Sequence, residues 1–126
     1  MKPKYYRCNI CGNIVEMVDD SGVVPVCCGQ PMEELVADSI DAATEKHVPS
    51  YEIDGNVVEV QVGSEKHPML DEHYIEWIEL ETEQGVQRKY LHPGEEPVAT
   101  FVISDDDKLK AIYEYCNIHG LWNVEL

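Results

Sequence analysis

Four of the five cysteines fall within the first thirty residues, as Cys8-x2-Cys11 and the adjacent pair Cys27-Cys28. Between them lie a strand-like Ile14-Val15-Glu16-Met17-Val18, a turn at Asp19-Asp20-Ser21-Gly22, and a second apolar run from Val23 to Val26. A segment this short cannot bury enough surface to hold itself together; below about 40 residues a metal or disulfide staple is usually needed. Four thiolates around one tetrahedral ion would supply that staple. Neighbouring side chains on an extended strand point to opposite sides, so Cys27 and Cys28 reach one ion only through a bent backbone. Gly29 helps such a turn.

Whether the cysteines are staples or ligands depends on the compartment. The start, Met1-Lys2-Pro3-Lys4-Tyr5-Tyr6-Arg7, has basic residues but no apolar stretch behind them. No signal peptide is read there, and a cytoplasmic location is expected. In that reducing compartment clustered cysteines serve as metal ligands more often than as disulfides. The formal net charge is −16, with nine basic against twenty-five acidic side chains. That balance argues against nucleic acid and anionic membrane as partners. No apolar stretch approaches the roughly 18 to 20 residues of a membrane span.

From Asp38 to Thr44 the chain reads as a linker, and Glu45-Lys46-His47-Val48-Pro49 follows. Pro49 biases Val48 toward extended backbone, which predicts His47 on a loop or at a strand start. Asp54-Gly55 is a hairpin-type turn, after which Val58, Val60 and Val62 alternate with polar residues. Residues 73–80, 87–91 and 98–103 read as further strands. Lys108 to Tyr115 is ambiguous: Leu109, Ala111, Tyr113 and Tyr115 alternate, but the acidic run Asp105 to Asp107 could cap a helix. It is read as a strand because Trp122, Val124 and Leu126 alternate again. Many short strands at this spacing predict an all-β sandwich.

The last cysteine stands in Cys116-Asn117-Ile118-His119-Gly120. A thiolate and an imidazole three positions apart can both turn toward one ion. His47, His67, His73 and His92 stand upstream. One thiolate with several imidazoles suggests redox iron or copper more than structural zinc. Any one of these histidines alone would read as structural or surface; the argument rests on the set. Loops at one end of a sandwich can converge, but spacing does not say which histidines join Cys116.

The first segment resembles desulforedoxin, a small domain that holds one iron with a Cys-x2-Cys and a Cys-Cys pair. The whole chain is similar to the two-iron superoxide reductases, or desulfoferrodoxins. The likeness runs from the four cysteines through Glu45-Lys46-His47-Val48-Pro49, His67-Pro68-Met69 and Glu72-His73-Tyr74-Ile75-Glu76-Trp77 to Tyr115-Cys116-Asn117-Ile118-His119-Gly120-Leu121-Trp122. The resemblance implies a desulforedoxin-like iron domain over residues 1–37 and an immunoglobulin-like β-sandwich over residues 38–126. It implies two irons per chain: one held by Cys8, Cys11, Cys27 and Cys28, the other by His47, His67, His73, His119 and Cys116. His92 has no place in the motif and reads as a turn residue, at a position often occupied by lysine in the family.

The implied reaction is one-electron reduction of superoxide to hydrogen peroxide, in oxygen detoxification. Lys46 would attract the anion and organise a proton-donating water, and Glu45 would be the sixth ligand of the oxidised iron. A rubredoxin-type carrier would donate the electron to a homodimeric enzyme. The donor set suits this on independent grounds. Five protein ligands exceed the four of a structural zinc site. Ferrous iron with neutral imidazoles and one thiolate keeps a net positive charge that favours an anion. Two other readings stay open: a non-catalytic iron electron-transfer protein, separated by its reaction with pulsed superoxide, and a colourless zinc-ribbon and sandwich module for protein binding.

Overall fold

The computed structural model describes residues 2–126, and the chain divides into two compact units, one ending at Val36 and one running from Ala37 to Leu126. In the first, β1 (Tyr5–Arg7) lies between β2 (Ile14–Glu16) and β5 (Glu33–Glu34), all antiparallel. A separate hairpin pairs β3 (Val26–Cys27) with β4 (Gln30–Pro31). Strand structure in the Val23–Val26 run is thus confined to its last residue. The apolar centre is small: Tyr6, Cys8 and Met32, with Met17 and Cys27 against them. One of the three residues of that centre is itself a cysteine, as expected of a segment whose core cannot hold it alone.

The second unit is a two-sheet sandwich. A three-stranded sheet has the order β10 (Val98–Val102), β7 (Val57–Val62), β6 (Pro49–Asp54). A four-stranded sheet has the order β12 (Gly120–Glu125), β11 (Leu109–Cys116), β8 (Ile75–Thr82), β9 (Val86–Tyr90). All neighbours are antiparallel. In immunoglobulin lettering this is A, B and E in one sheet and C′, C, F and G in the other. Val58, Val60 and Val62 face inward with Ala99 and Phe101, and meet Ile75, Ile78, Leu80 and Ile112 of the facing sheet. Their strict alternation on β7 follows from one face being buried and the other wet. No helix among the described residues is long and apolar enough to cross a membrane.

Two details differ from the expectations above. His47 is neither on a loop nor at a strand start, but ends a one-turn helix, α1 (Thr44–His47). The proline acts as expected: Val48 is extended, with φ −68° and ψ 122°, and the helix stops there. A four-residue turn is simply too short to leave a 3.6-residue pattern. On β11 the strand forms as read, yet Ile112 and Cys116, not Tyr113 and Tyr115, join the sandwich core. Both faces of β11 are buried, so alternation there does not distinguish inside from outside.

Candidate metal centres

In the first unit Cys8 and Cys11 flank a tight turn whose main-chain N–H groups, from Ile10 and Cys11, point at the Cys8 sulfur at 3.4 and 3.5 Å. Those donors favour thiolate and draw Cys8 down to about 6. Cys28 is pushed up to about 12, Cys11 and Cys8 being its main perturbers. The adjacent pair converges because Cys28 itself takes a left-handed conformation, φ 52°, followed by Gly29 at φ 74°. All four cysteines are free thiols, and their sulfurs lie within 4.8 Å of one another. Thiols crowded this way, one favoured as thiolate and another held protonated, are a donor set that fits one cation.

The second cluster sits where strand ends meet at one end of the sandwich. Cys116 closes β11 opposite Gly120 and Ile75. A register shift between Tyr115 and Cys116 marks a bulge there, a device that re-aims a side chain beside a site. His73 lies just before β8, and His119 lies in the turn after Cys116. His67 ends the loop after β7, its N–H bonded to the Val62 carbonyl at 2.7 Å. The loop also ties down α1: Glu65 N–H and Ser64 Oγ both donate to the Glu45 carbonyl. Gly63 makes this possible. A Cβ there would stand 2.7 Å from the Glu45 oxygen and 2.9 Å from that of Val48.

One ring nitrogen of His47, His67, His73 and His119 and the sulfur of Cys116 lie within 4.8 Å of one another. The outer nitrogens of two rings are fixed: Nδ1 of His47 donates to the Ala43 carbonyl at 2.7 Å, and Nδ1 of His67 to that of Pro68 at 2.6 Å. Such carbonyl partners fix the tautomer of metal-binding histidines. The inner Nε2 atoms of His67 and His73 are buried with no partner. Burial holds His47 and His73 below the ordinary imidazole value and takes His67 down to about 4, so the rings stay neutral. Burial also pushes the Cys116 thiol up, partly offset by the His119 N–H at 3.4 Å from its sulfur. Four inward-facing imidazoles and one buried sulfur fit a cation with more than four coordination positions, which favours iron over structural zinc.

His92 is apart from this cluster, an exposed turn residue paired with Glu95 at 2.8 Å. Glu45 and Lys46 precede His47 on α1; Glu45 is exposed and Lys46 half-buried. Both charges are felt in the cluster, Glu45 raising His47 and Lys46 lowering His73. The sequence reading assigned no role to two further residues. Trp122 packs its ring on that of His47, centroids 5.0 Å apart, and donates from Nε1 to the His119 carbonyl at 3.0 Å. Glu114 is fully buried with both oxygens unpartnered, and burial raises it well above the usual carboxylate range. The alternation Ile112, Glu114, Cys116 is the signal that could have found it.

A family model described as desulfoferrodoxin matches residues 39–125, and one described as its N-terminal domain matches residues 2–35. The chain is 52% identical to a desulfoferrodoxin homolog of Archaeoglobus fulgidus over 118 residues, 93% of this chain and 92% of the relative. It is 45% identical to a desulfoferrodoxin of Syntrophotalea carbinolica over 125 residues, 98% of this chain and 97% of the relative. The crystal structure of the superoxide reductase from Treponema pallidum superposes with a TM-score of 0.84 at 34% identity, over 99% of this chain and 100% of that one.

Proposed function

The chain belongs to the desulfoferrodoxin family, and from that premise we propose that it is a superoxide reductase. Each superoxide takes up one electron and two protons and leaves as hydrogen peroxide. The observation that carries the reading is the convergence of four imidazoles and one thiol sulfur within 4.8 Å at the end of the sandwich. Iron bound there would supply the electron and a positive charge that attracts the anion. The chain's own groups do the rest. His47, His67, His73 and His119 hold the metal without adding charge, and Cys116 adds a single negative charge from the core side. The carbonyls of Ala43 and Pro68 keep Nδ1 of His47 and His67 protonated, so Nε2 is free to face the metal.

Lys46 draws superoxide toward the cluster and holds a proton-donating water near Nζ. Glu45, on the same helical turn, would be the carboxylate ligand to the oxidised metal. The four cysteines hold the other iron, which makes residues 1–37 an iron domain ahead of the catalytic sandwich. A rubredoxin-type carrier returns the electron, and the enzyme works in the cytoplasm. A homodimer is supported by the apolar surface of the first unit, where Val18, Val23 and Val26 are all more than half exposed.

The test is product stoichiometry. Reduced protein mixed with pulsed superoxide should give one hydrogen peroxide per superoxide and no dioxygen. Dioxygen in equal amount would mean dismutation. No rapid reaction at all would leave an electron carrier.

A further inference from the structure

We propose that Asn117 is the positioning residue for His73. Of the four imidazoles, His47 and His67 are anchored through their own Nδ1 atoms. His119 shares its turn with Cys116. His73 differs: its Nε2 is buried without a partner, and among the described residues no hydrogen bond holds its other ring nitrogen. Its place depends on its main chain, and each main-chain polar group from the Glu72 carbonyl to the Tyr74 carbonyl is engaged. The His73 N–H donates to the Leu70 carbonyl at 3.1 Å, and the His73 carbonyl accepts from the Leu70 N–H at 2.9 Å. On either side, Asn117 takes the remaining three. Its Nδ2 donates to the Glu72 carbonyl at 3.1 Å, its Oδ1 accepts the Tyr74 N–H at 2.9 Å, and its own N–H donates to the Tyr74 carbonyl at 3.2 Å.

The two ends of the amide are not interchangeable here. A carbonyl needs a donor and an N–H needs an acceptor, so only one orientation of the side chain satisfies both. Asn117 follows Cys116 and precedes His119 by two. It therefore ties the loop carrying two donors to the loop carrying a third, across 43 positions of sequence. The role follows: Asn117 sets the distance of His73 Nε2 from the Cys116 sulfur and His119 Nδ1.

This inference rests on the reading of the five residues as a metal centre, and the experiment separates the two. The full chain is loaded with iron, and the second site is identified by the visible thiolate band that Cys116→Ser abolishes. Asn117→Ala and Asn117→Asp are compared with wild type in three ways: position of that band, rate of its loss to a chelator, and thermal midpoint of the metal-free protein. Loss of an outer partner typically weakens metal binding about 10- to 100-fold. The expected result is a shifted band and roughly tenfold faster iron loss in Asn117→Ala. Asn117→Asp should fall between, because it keeps the acceptor for Tyr74 and loses the donor for Glu72. Should the alanine variant not fold, the aspartate variant is read by the same band and rate. An unmoved band with an unchanged rate overturns the proposal, as does faster iron loss that only follows a lowered midpoint, with aspartate no better than alanine. A wild type without a Cys116-dependent band instead overturns the metal-centre reading.

Discussion

Nε2 of His47 and Nδ1 of His119 stand 3.0 Å apart, on residues 72 positions apart in sequence. Hydrogen-bond logic assigns the protons. The Ala43 carbonyl can only accept, so Nδ1 of His47 carries its proton and, in the neutral ring, Nε2 is bare. The proton between the two rings then belongs to His119 Nδ1. A metal ion needs that nitrogen bare, so loading must move the proton of His119 to Nε2. Nitrogen-15 NMR of the metal-free protein above pH 7 should show His119 as the Nδ1–H tautomer. The protein loaded with a diamagnetic divalent ion should show Nε2–H. An Nε2–H tautomer in the metal-free protein would refute the assignment.

The same burial makes the metal-free sandwich acid-sensitive. His67 titrates at about 4 in the folded chain against 6.5 for a free imidazole, and His47 and His73 are lowered too. Between those values the unfolded chain holds more protons, so stability is full above about pH 7 and falls as pH drops from 6.5 toward 4. For His67 alone the loss between pH 7.5 and 5 is on the order of 2 kcal/mol. Both tryptophans, Trp77 and Trp122, belong to the second unit, so their fluorescence reports its melting. The midpoint should fall by about 8 °C or more over that range. A midpoint independent of pH would mean that the imidazoles are solvated.

What the sequence made legible follows from how local each signal is. Val58, Val60 and Val62 declare a half-buried strand within five residues, and Cys116 with His119 declares a ligand pair within four. Glu114 was hidden because a glutamate in a strand reads as a solvent-facing residue, and only the opposing sheet reveals that it is buried. The hydrogen bonds of Asn117 reach residues 43 and 45 positions away, which no periodicity records. The role of Gly63 depends on the carbonyls of a helical turn fifteen or more residues earlier. Local pattern carried the strands and most donors; the supports of those donors lie in tertiary contacts.

The two clusters should respond separately to cysteine substitution. Cys11→Ser removes one of four sulfurs in the first unit, whereas Cys116 belongs to the other unit. The bands of the first iron should be lost, with superoxide reduction largely retained. Cys116→Ser substitutes a hydroxyl that stays protonated near neutral pH and is a far weaker donor. Its thiolate band should vanish and reduction fall with it, while the first iron's bands persist. Metal analysis with visible spectra of both variants checks this. Loss of superoxide reduction in Cys11→Ser with the second iron still bound would contradict the division of labour.

Lys46 decides whether attraction of the substrate is local to the cluster. As a surface charge its contribution would be less than about 1 kcal/mol. Yet it is half-buried one residue before His47, its charge is felt at His73, and the chain around it carries a net −16. A field of that sign repels superoxide at long range, so a positive group near the cluster must act within a Debye length, about 8 Å at physiological salt. Lys46→Ile should therefore slow the bimolecular step with superoxide while both irons stay bound. Salt should slow the wild type by screening the local attraction. The variant has lost that attraction, so its rate should fall less with salt, or rise as the repulsion is screened. Pulse radiolysis of both proteins across a salt series measures the two slopes. Equal rates and parallel slopes would return Lys46 to the solvent-exposed charges and leave the metal alone to draw the anion in.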